Sequence, residues 1–163
     1  MTQILVLSDT HVTTIQSLPK EIVQAIREAE WIVHCGDYTH ITVVEELKGL
    51  ARRFIGVYGN TDPSDVRSQL PSEITFELEG KKIAVVHPHL GGPPDGLEEE
   101  LAARFPHVDA ILFGHTHEPY NLRLNGTLLL NPGQSYPSFM TPAAMGVLTV
   151  SQQEVKGEVL TLS

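Results

Sequence analysis

A chain of 163 residues with 41% hydrophobic content is long enough for one self-sufficient core, and its formal charge of −9 argues against a general nucleic-acid surface, which shows as a basic patch. Lys and Arg never cluster beyond the pairs Arg52-Arg53 and Lys81-Lys82, and no apolar run approaches the roughly 20 residues of a membrane span. The start, MTQILVLSDTH, lacks the basic segment and small-residue cleavage site of a signal peptide, and Cys35 is the only cysteine, so a reducing, cytoplasmic location is expected.

In chain order, Gln3–Leu7 predicts a short buried strand ending in a polar segment. Leu18 to Glu30 has helical spacing, with Leu18, Ile22, Ala25, Ile26 and Ala29 on one face and Pro19 suited to a first turn. Trp31–His34 predicts a second strand, Ile41–Gly49 a helix, and Arg53–Tyr58 a third strand. Gly59–Pro71 is polar and reads as loop. Ile74–Leu78 and Lys82–Val86 flank Glu79-Gly80-Lys81 as a hairpin. A Gly/Pro-rich stretch, Leu90–Gly96, leads into an acidic helix near Leu97–Phe105, and Ala110–Phe113 is again a buried strand. Asn125-Gly126, between YNLRL and TLLL, is a type I′ hairpin signal, and Ala144–Val150 with Glu154–Leu160 forms a last strand pair. No repeat, linker or low-complexity tract interrupts this order, so residues 1–163 read as one domain. Early strand–helix alternation with late hairpins predicts an α/β fold in which two sheets pack together with helices outside.

The polar residues fall where these strands stop. Asp9 and His11 follow ILVLS, Gly36-Asp37 follows WIVHC, Asn60 and Asp62 follow FIGVYG, His87 follows IAVV, and His115 and His117 follow AILFG. Strand ends at one edge of an α/β sheet are where ligands and catalytic groups gather. Each pair alone is ordinary turn chemistry; the joint occurrence at five successive strand ends carries the inference. The set Asp9, His11, Asp37, Asn60, His87, His115 and His117 mixes carboxylate, imidazole and amide oxygen. It is too large for one four-coordinate zinc and suits two borderline divalent ions. Two such ions need a bridging carboxylate and clamp a phosphate for in-line attack by a metal-activated hydroxide.

These motifs resemble the calcineurin-like metallophosphoesterases, whose pattern runs D-x-H, G-D, G-N-H-D, a histidine in an H-G-type motif, and G-H-T-H. Here they stand as Asp9-Thr10-His11, Gly36-Asp37, Gly59-Asn60-Thr61-Asp62, His87-Pro88-His89 and Gly114-His115-Thr116-His117, with further likeness in NPGQS at Asn131–Ser135. Short length and the late hairpin are similar to the small bacterial and archaeal phosphodiesterase branch, related to the eukaryotic retromer scaffold subunit. The resemblance implies a four-layer αββα sandwich and a metal-dependent phosphoesterase, the family's substrates being phosphomonoesters, phosphodiesters and nucleotides; for this chain a small-molecule diester is expected in preference to a monoester. The resemblance also implies that Asp9, His11 and His117 hold one ion and Asn60, His87 and His115 the other, with Asp37 bridging. Manganese is the first choice of metal, with iron, zinc or nickel as alternatives.

Three departures bear on the chemistry. Thr61 stands where many relatives carry the phosphate-contacting histidine. Pro88 replaces a glycine, fixing φ and removing an amide donor. NPGQSYPSF lacks the arginine common near its end. His89, beyond Pro88, is therefore the candidate for contacting phosphate or the leaving group, with Asn60 stabilising charge beside it. Asp62 is grouped with them, either orienting a ligand or capping the turn before Pro63. Cys35 reads as a small core residue, His34 as a core histidine in preference to a partner of the ligands, and His40 equally as a helix-start surface residue or a substrate contact. A non-enzymatic scaffold that binds protein partners is the alternative function. Membrane association is not expected, nucleic acid is disfavoured, and a homo-oligomer is left open.

Overall fold

Runs such as Ile4-Leu5-Val6-Leu7 and Ile83-Ala84-Val85-Val86 are apolar at every position, which suits a strand covered on both faces. In the computed structural model, which describes residues 1–88, 96–138 and 141–162, both runs are inner strands of sheets. The first half of the chain contains β1 (Thr2–Leu7), α1 (Lys20–Glu28), β2 (Trp31–His34), α2 (Ile41–Leu50), β3 (Arg53–Gly56), α3 (Ser64–Gln69), β4 (Glu73–Leu78) and β5 (Lys81–Val86). The second half contains α4 (Leu97–Arg104), β6 (Ala110–Phe113), β7 (Tyr120–Leu124), β8 (Thr127–Asn131), β9 (Ala144–Val150) and β10 (Val155–Thr161).

The strands form two five-stranded sheets, ordered β10-β9-β1-β2-β3 and β4-β5-β6-β8-β7. Each contains a parallel trio, β1-β2-β3 reaching the edge of one sheet and β5-β6-β8 in the middle of the other, extended by antiparallel neighbours. Because side chains alternate along a strand, each apolar run feeds two cores. Ile4 and Val6 point between the sheets with Val33, Ile83, Val85, Leu112 and Leu130. Leu5, Leu7 and Ile32 meet Ile22, Ile26, Val44 and Leu47 of the helices on one outer face. Ala84, Val86, Ile111 and Phe113 meet Leu97 and Leu101 of α4 on the other. Three apolar interfaces thus separate four layers, the αββα sandwich expected from the motifs.

The hairpins follow their turn chemistry. Glu79-Gly80 (φ 55° and 78°) and Asn125-Gly126 (φ 52° and 87°) each place both central residues in the left-handed region that a type I′ turn requires. One segment differs from expectation: within the predicted loop Gly59–Pro71, residues Ser64–Gln69 form α3. Its only buried side chain is Val66, so a six-residue helix leaves no apolar period to read, and Pro63 rather than a capping hydroxyl opens it. Likewise α1 starts at Lys20 with Pro19 as its extended N-cap, not at Leu18.

The inter-sheet core sets an expected contrast. Leu112→Ala should cost about 2–5 kcal/mol in urea unfolding, since Leu112 is fully buried between the sheets. Leu122→Ala on the 59%-exposed face of β7 should change stability by no more than about 0.5 kcal/mol; equal losses would contradict the layer assignment.

Candidate metal centre

The parallel trios of both sheets bring their carboxyl ends to one edge, so residues distant in sequence meet there. Asp9, His11, Asp37 and His117 each offer a donor atom, and these atoms all lie within 4.8 Å of one another. His117 Nε2 is 3.3 Å from Asp9 Oδ1, while His11 Nε2 is 3.9 Å from both Asp9 Oδ1 and Asp37 Oδ2. A second group adjoins the first. His87 Nε2 lies 2.9 Å from Asn60 Oδ1 and 3.2 Å from Asp37 Oδ2, and His115 Nδ1 lies 3.2 Å from the same Asn60 oxygen. All seven predicted donors are therefore at this edge, with Asp37 Oδ2 between the two groups. His89 lies outside the described residues.

The backbone there is unusual. Asp9, His11, Asp37, His115 and His117 all have left-handed φ, between 49° and 83°. For non-glycine residues this geometry persists only where surroundings over-determine it, and it clusters at functional sites. Glycine is needed where the loops close up: a Cβ on Gly59 would collide with Asp37 Oδ1, and one on Gly114 with Ser8 Oγ.

Hydrogen bonds aim the donors. The carbonyl oxygen of Cys35 can only accept, so His87 carries a proton on Nδ1, 2.8 Å away, and Nε2 faces the cluster. The Gln134 amide donates through Nε2 to the Tyr136 carbonyl and to Ser138 Oγ. Its Oε1 is thereby turned to accept from His117 Nδ1 at 2.9 Å, which again leaves Nε2 facing Asp9. Ser8 Oγ and the His115 amide donate to Asp9 Oδ2, leaving Asp9 Oδ1 buried without a hydrogen-bond donor among the described residues. His11 Nε2 is buried and unbonded too.

Asp62 Oδ2 accepts from the Asp37 and Gly59 amides at 2.9 and 2.8 Å, and its Oδ1 from the Thr39 amide at 2.7 Å, so it ties the Asp37 turn to the Asn60 turn. His40 is exposed at the start of α2, where its ring bonds the Thr39 hydroxyl. The NPGQS segment, noticed in the sequence only as a likeness, is a brace. Asn131 holds Thr116 between the two histidines, Gln134 orients His117, and Ser135 donates to the Ser8 carbonyl. An amide side chain at position 134 carries no signal by itself; its role appears only once β8 is beside β6.

The charges agree with the geometry. Burial alone would raise the Asp9 carboxyl, yet the imidazoles of His11 and His117 beside it hold it well below the ordinary carboxylate range. Asp37 is lowered in the same way against burial, chiefly by His87. In return, the Asp9 carboxylate beside it raises His117 to about 9, and His87 is raised against burial by Asp37 and Asp9. Two buried carboxylates thus draw positive charge to this edge, as buried charges must be paired or coordinate metals. The orphaned Asp9 Oδ1 and His11 Nε2, with Nε2 of His87 and of His117 turned inward, are the donor set a divalent cation takes. The residues fit a metal centre.

The comparisons agree. The calcineurin-like phosphoesterase superfamily domain matches residues 2–153, and the chain belongs to that superfamily. A probable metallophosphoesterase of Methanothermobacter thermautotrophicus is 29% identical over 156 residues, 95% of this chain and 90% of the relative. The Escherichia coli phosphodiesterase YfcE is 31% identical over 139 residues, 74% of this chain and 72% of the relative. Among solved structures, Vacuolar Protein Sorting 29 of Cryptosporidium parvum superposes with a TM-score of 0.85 at 21% identity, covering 99% of this chain and 92% of that one, a likeness of fold. No described helix is long and apolar enough to cross a membrane.

His34, fully buried at the end of β2, sets a pH dependence. Burial lowers it from 6.5 to about 3, so it stays neutral in the folded protein while the unfolded chain takes up its proton below 6.5. The stability this contributes is present above 6.5 and is lost as the pH falls toward about 3. His115, also lowered by burial, acts with the same sign. His117 and His87 are raised, so their contribution is complete below 6.5 and is lost as the pH climbs through their folded values. Chelator-treated protein should therefore be most stable near pH 6.5 and lose up to about 1.4 kcal/mol per pH unit through His34 between there and about pH 5. Chemical unfolding across pH measures this; stability that rises with acidity over that window would contradict it.

Proposed function

We propose that the chain is a dinuclear, divalent-metal-dependent phosphoesterase that hydrolyses small-molecule phosphodiesters in preference to monoesters. One observation carries the reading: the buried Asp37 carboxylate stands between two donor groups, its Oδ2 3.2 Å from His87 Nε2 and 3.9 Å from His11 Nε2. Asp9, His11 and His117 would hold one ion, Asn60, His87 and His115 the other, and Asp37 would serve both. Manganese is the first expectation, then iron, zinc or nickel. Bound there, such ions lower the pKa of water to generate a nucleophile near neutral pH and offset the charge of the phosphoryl oxygens.

The protein's own groups shape the rest. Thr61 donates its backbone amide to Asp37 Oδ1 at 3.0 Å, and its side chain brings no titratable proton donor to the place where many relatives carry an imidazole. Without that donor, esters whose leaving group departs unprotonated are favoured, and a diester presents one negative charge where a monoester presents two. His89, next along the chain from Pro88, is the proposed contact to phosphate or the leaving group. A partner-binding scaffold would place no demand on the donors, whereas all seven positions retain metal-binding side chains; this supports the enzyme.

Elemental analysis should find two metal ions per chain, and bis-(p-nitrophenyl) phosphate should be turned over faster than p-nitrophenyl phosphate with Mn2+. Asp37→Asn should lower turnover by about a thousandfold or more, consistent with several kcal/mol of lost transition-state stabilisation. Wild-type turnover by that variant in Mn2+-replete buffer would sink the shared-ligand assignment. Two bound ions with no turnover on a broad phosphoester panel would favour the scaffold.

A further inference from the structure

His34 belongs to neither donor group, yet it touches the loops that carry both. It is fully buried. The Gly36 backbone amide donates to His34 Nδ1 at 3.0 Å, and His34 Nε2 lies 3.2 Å from Thr10 Oγ1. A backbone N–H can only donate, so Nδ1 carries no proton, and the single proton of the neutral ring must be on Nε2, donating to Thr10. The tautomer is thereby fixed by contacts. The ring also lies flat on Tyr38, with centroids 3.7 Å apart and planes inclined by 17°.

Thr10 sits between Asp9 and His11, and Gly36 immediately precedes Asp37. One imidazole therefore spans the β1 and β2 loops, whose residues Asp9, His11, Gly36 and Asp37 all have positive φ. The same loops are joined by the Asp9 amide to the Gly36 carbonyl at 3.0 Å and by the His11 amide to the Asp37 carbonyl at 3.4 Å. Those backbone links fix the spacing of the loops. The His34 bridge is the side-chain link, and it fastens the two turns from which three of the four residues of the first donor group project. Partners that orient metal ligands in this way are typically worth about 10–100-fold in metal affinity.

We infer that His34 is a positioning residue: as the Nε2–H tautomer it locks the Asp9–His11 turn to the Gly36–Asp37 turn, so that Asp37 is held at the spacing two ions require. The inference rests on the metal-centre reading above. It also changes the expectation for His34, which serves the ligands through their neighbours as well as filling the core.

The test reads metal binding rather than turnover. His34→Phe keeps an aromatic ring on Tyr38 but forms neither bond, and Thr10→Val removes only the hydroxyl. By titration calorimetry with Mn2+, both variants should bind about 10–100-fold more weakly than wild type. The double variant should be no weaker than His34→Phe alone, because the two residues act through one contact. Nitrogen-15 NMR of the imidazole should show the proton on Nε2. Mn2+ affinity within twofold of wild type for His34→Phe, additive losses in the double variant, or a proton on Nδ1 would each overturn the inference. If His34→Phe does not fold, Thr10→Val decides: wild-type affinity refutes, and weakened affinity with an unchanged melting temperature supports. A wild-type protein that binds no divalent ion would instead remove the metal-centre reading itself.

Discussion

Two carboxylates that water cannot reach govern this molecule's functional edge. Asp9 is completely buried and Asp37 nearly so, and neither has a lysine or arginine as partner among the described residues. Their compensation comes from histidines, which they hold in the protonated form, His117 up to about 9. A proton on an imidazole and a divalent ion among imidazoles answer the same electrostatic demand, but His117 Nε2 faces Asp9 Oδ1 from 3.3 Å without the geometry of a hydrogen bond. The arrangement is costly as a protonated cluster and coherent as a metal centre. That difference is why the site, more than the fold, speaks for chemistry.

Everything around the carboxylates limits how they and the histidines can turn. His87 gives its Nδ1 proton to the Cys35 carbonyl and His117 gives its own to Gln134, so both rings present Nε2 inward. Asp62 gathers three backbone amides from two loops, and burial raises its pKa despite them, which marks how far that carboxylate is withdrawn from water. Left-handed backbone at five of the donors would relax in an isolated loop. Here it is held because parallel strands from two sheets deliver the loops side by side, and the side-chain bonds remove the freedom that remains.

Much of this was legible from the residues alone, for a physical reason. Strands covered on both faces are apolar throughout, so a polar residue at their end marks where the chain leaves the core. That made Asp9, Asp37, Asn60, His87 and His115 readable as a set. What could not be read depends on contacts across the chain. Whether Asp62 orients a neighbour or caps a turn shows only in its three amide partners. Gln134 and His34 each reach a partner 17 and 24 residues distant, His117 and Thr10. Helix α3 escaped because one buried valine makes no period.

The three apolar cores contain none of the seven donors. Folding free energy and site chemistry therefore come from different residues, and the sandwich can persist in a chain whose donors have been lost. A fold match at 21% identity to a sorting protein accordingly argues neither for activity nor against it. Only the edge discriminates, where each departure must be weighed for what it costs the donors. Thr61 costs them nothing, because its backbone amide still supports Asp37 Oδ1; Pro88 leaves His87 bonded to Cys35 and beside Asn60. Both departures spare the donors, so neither is a ground for reading the donor set as abandoned.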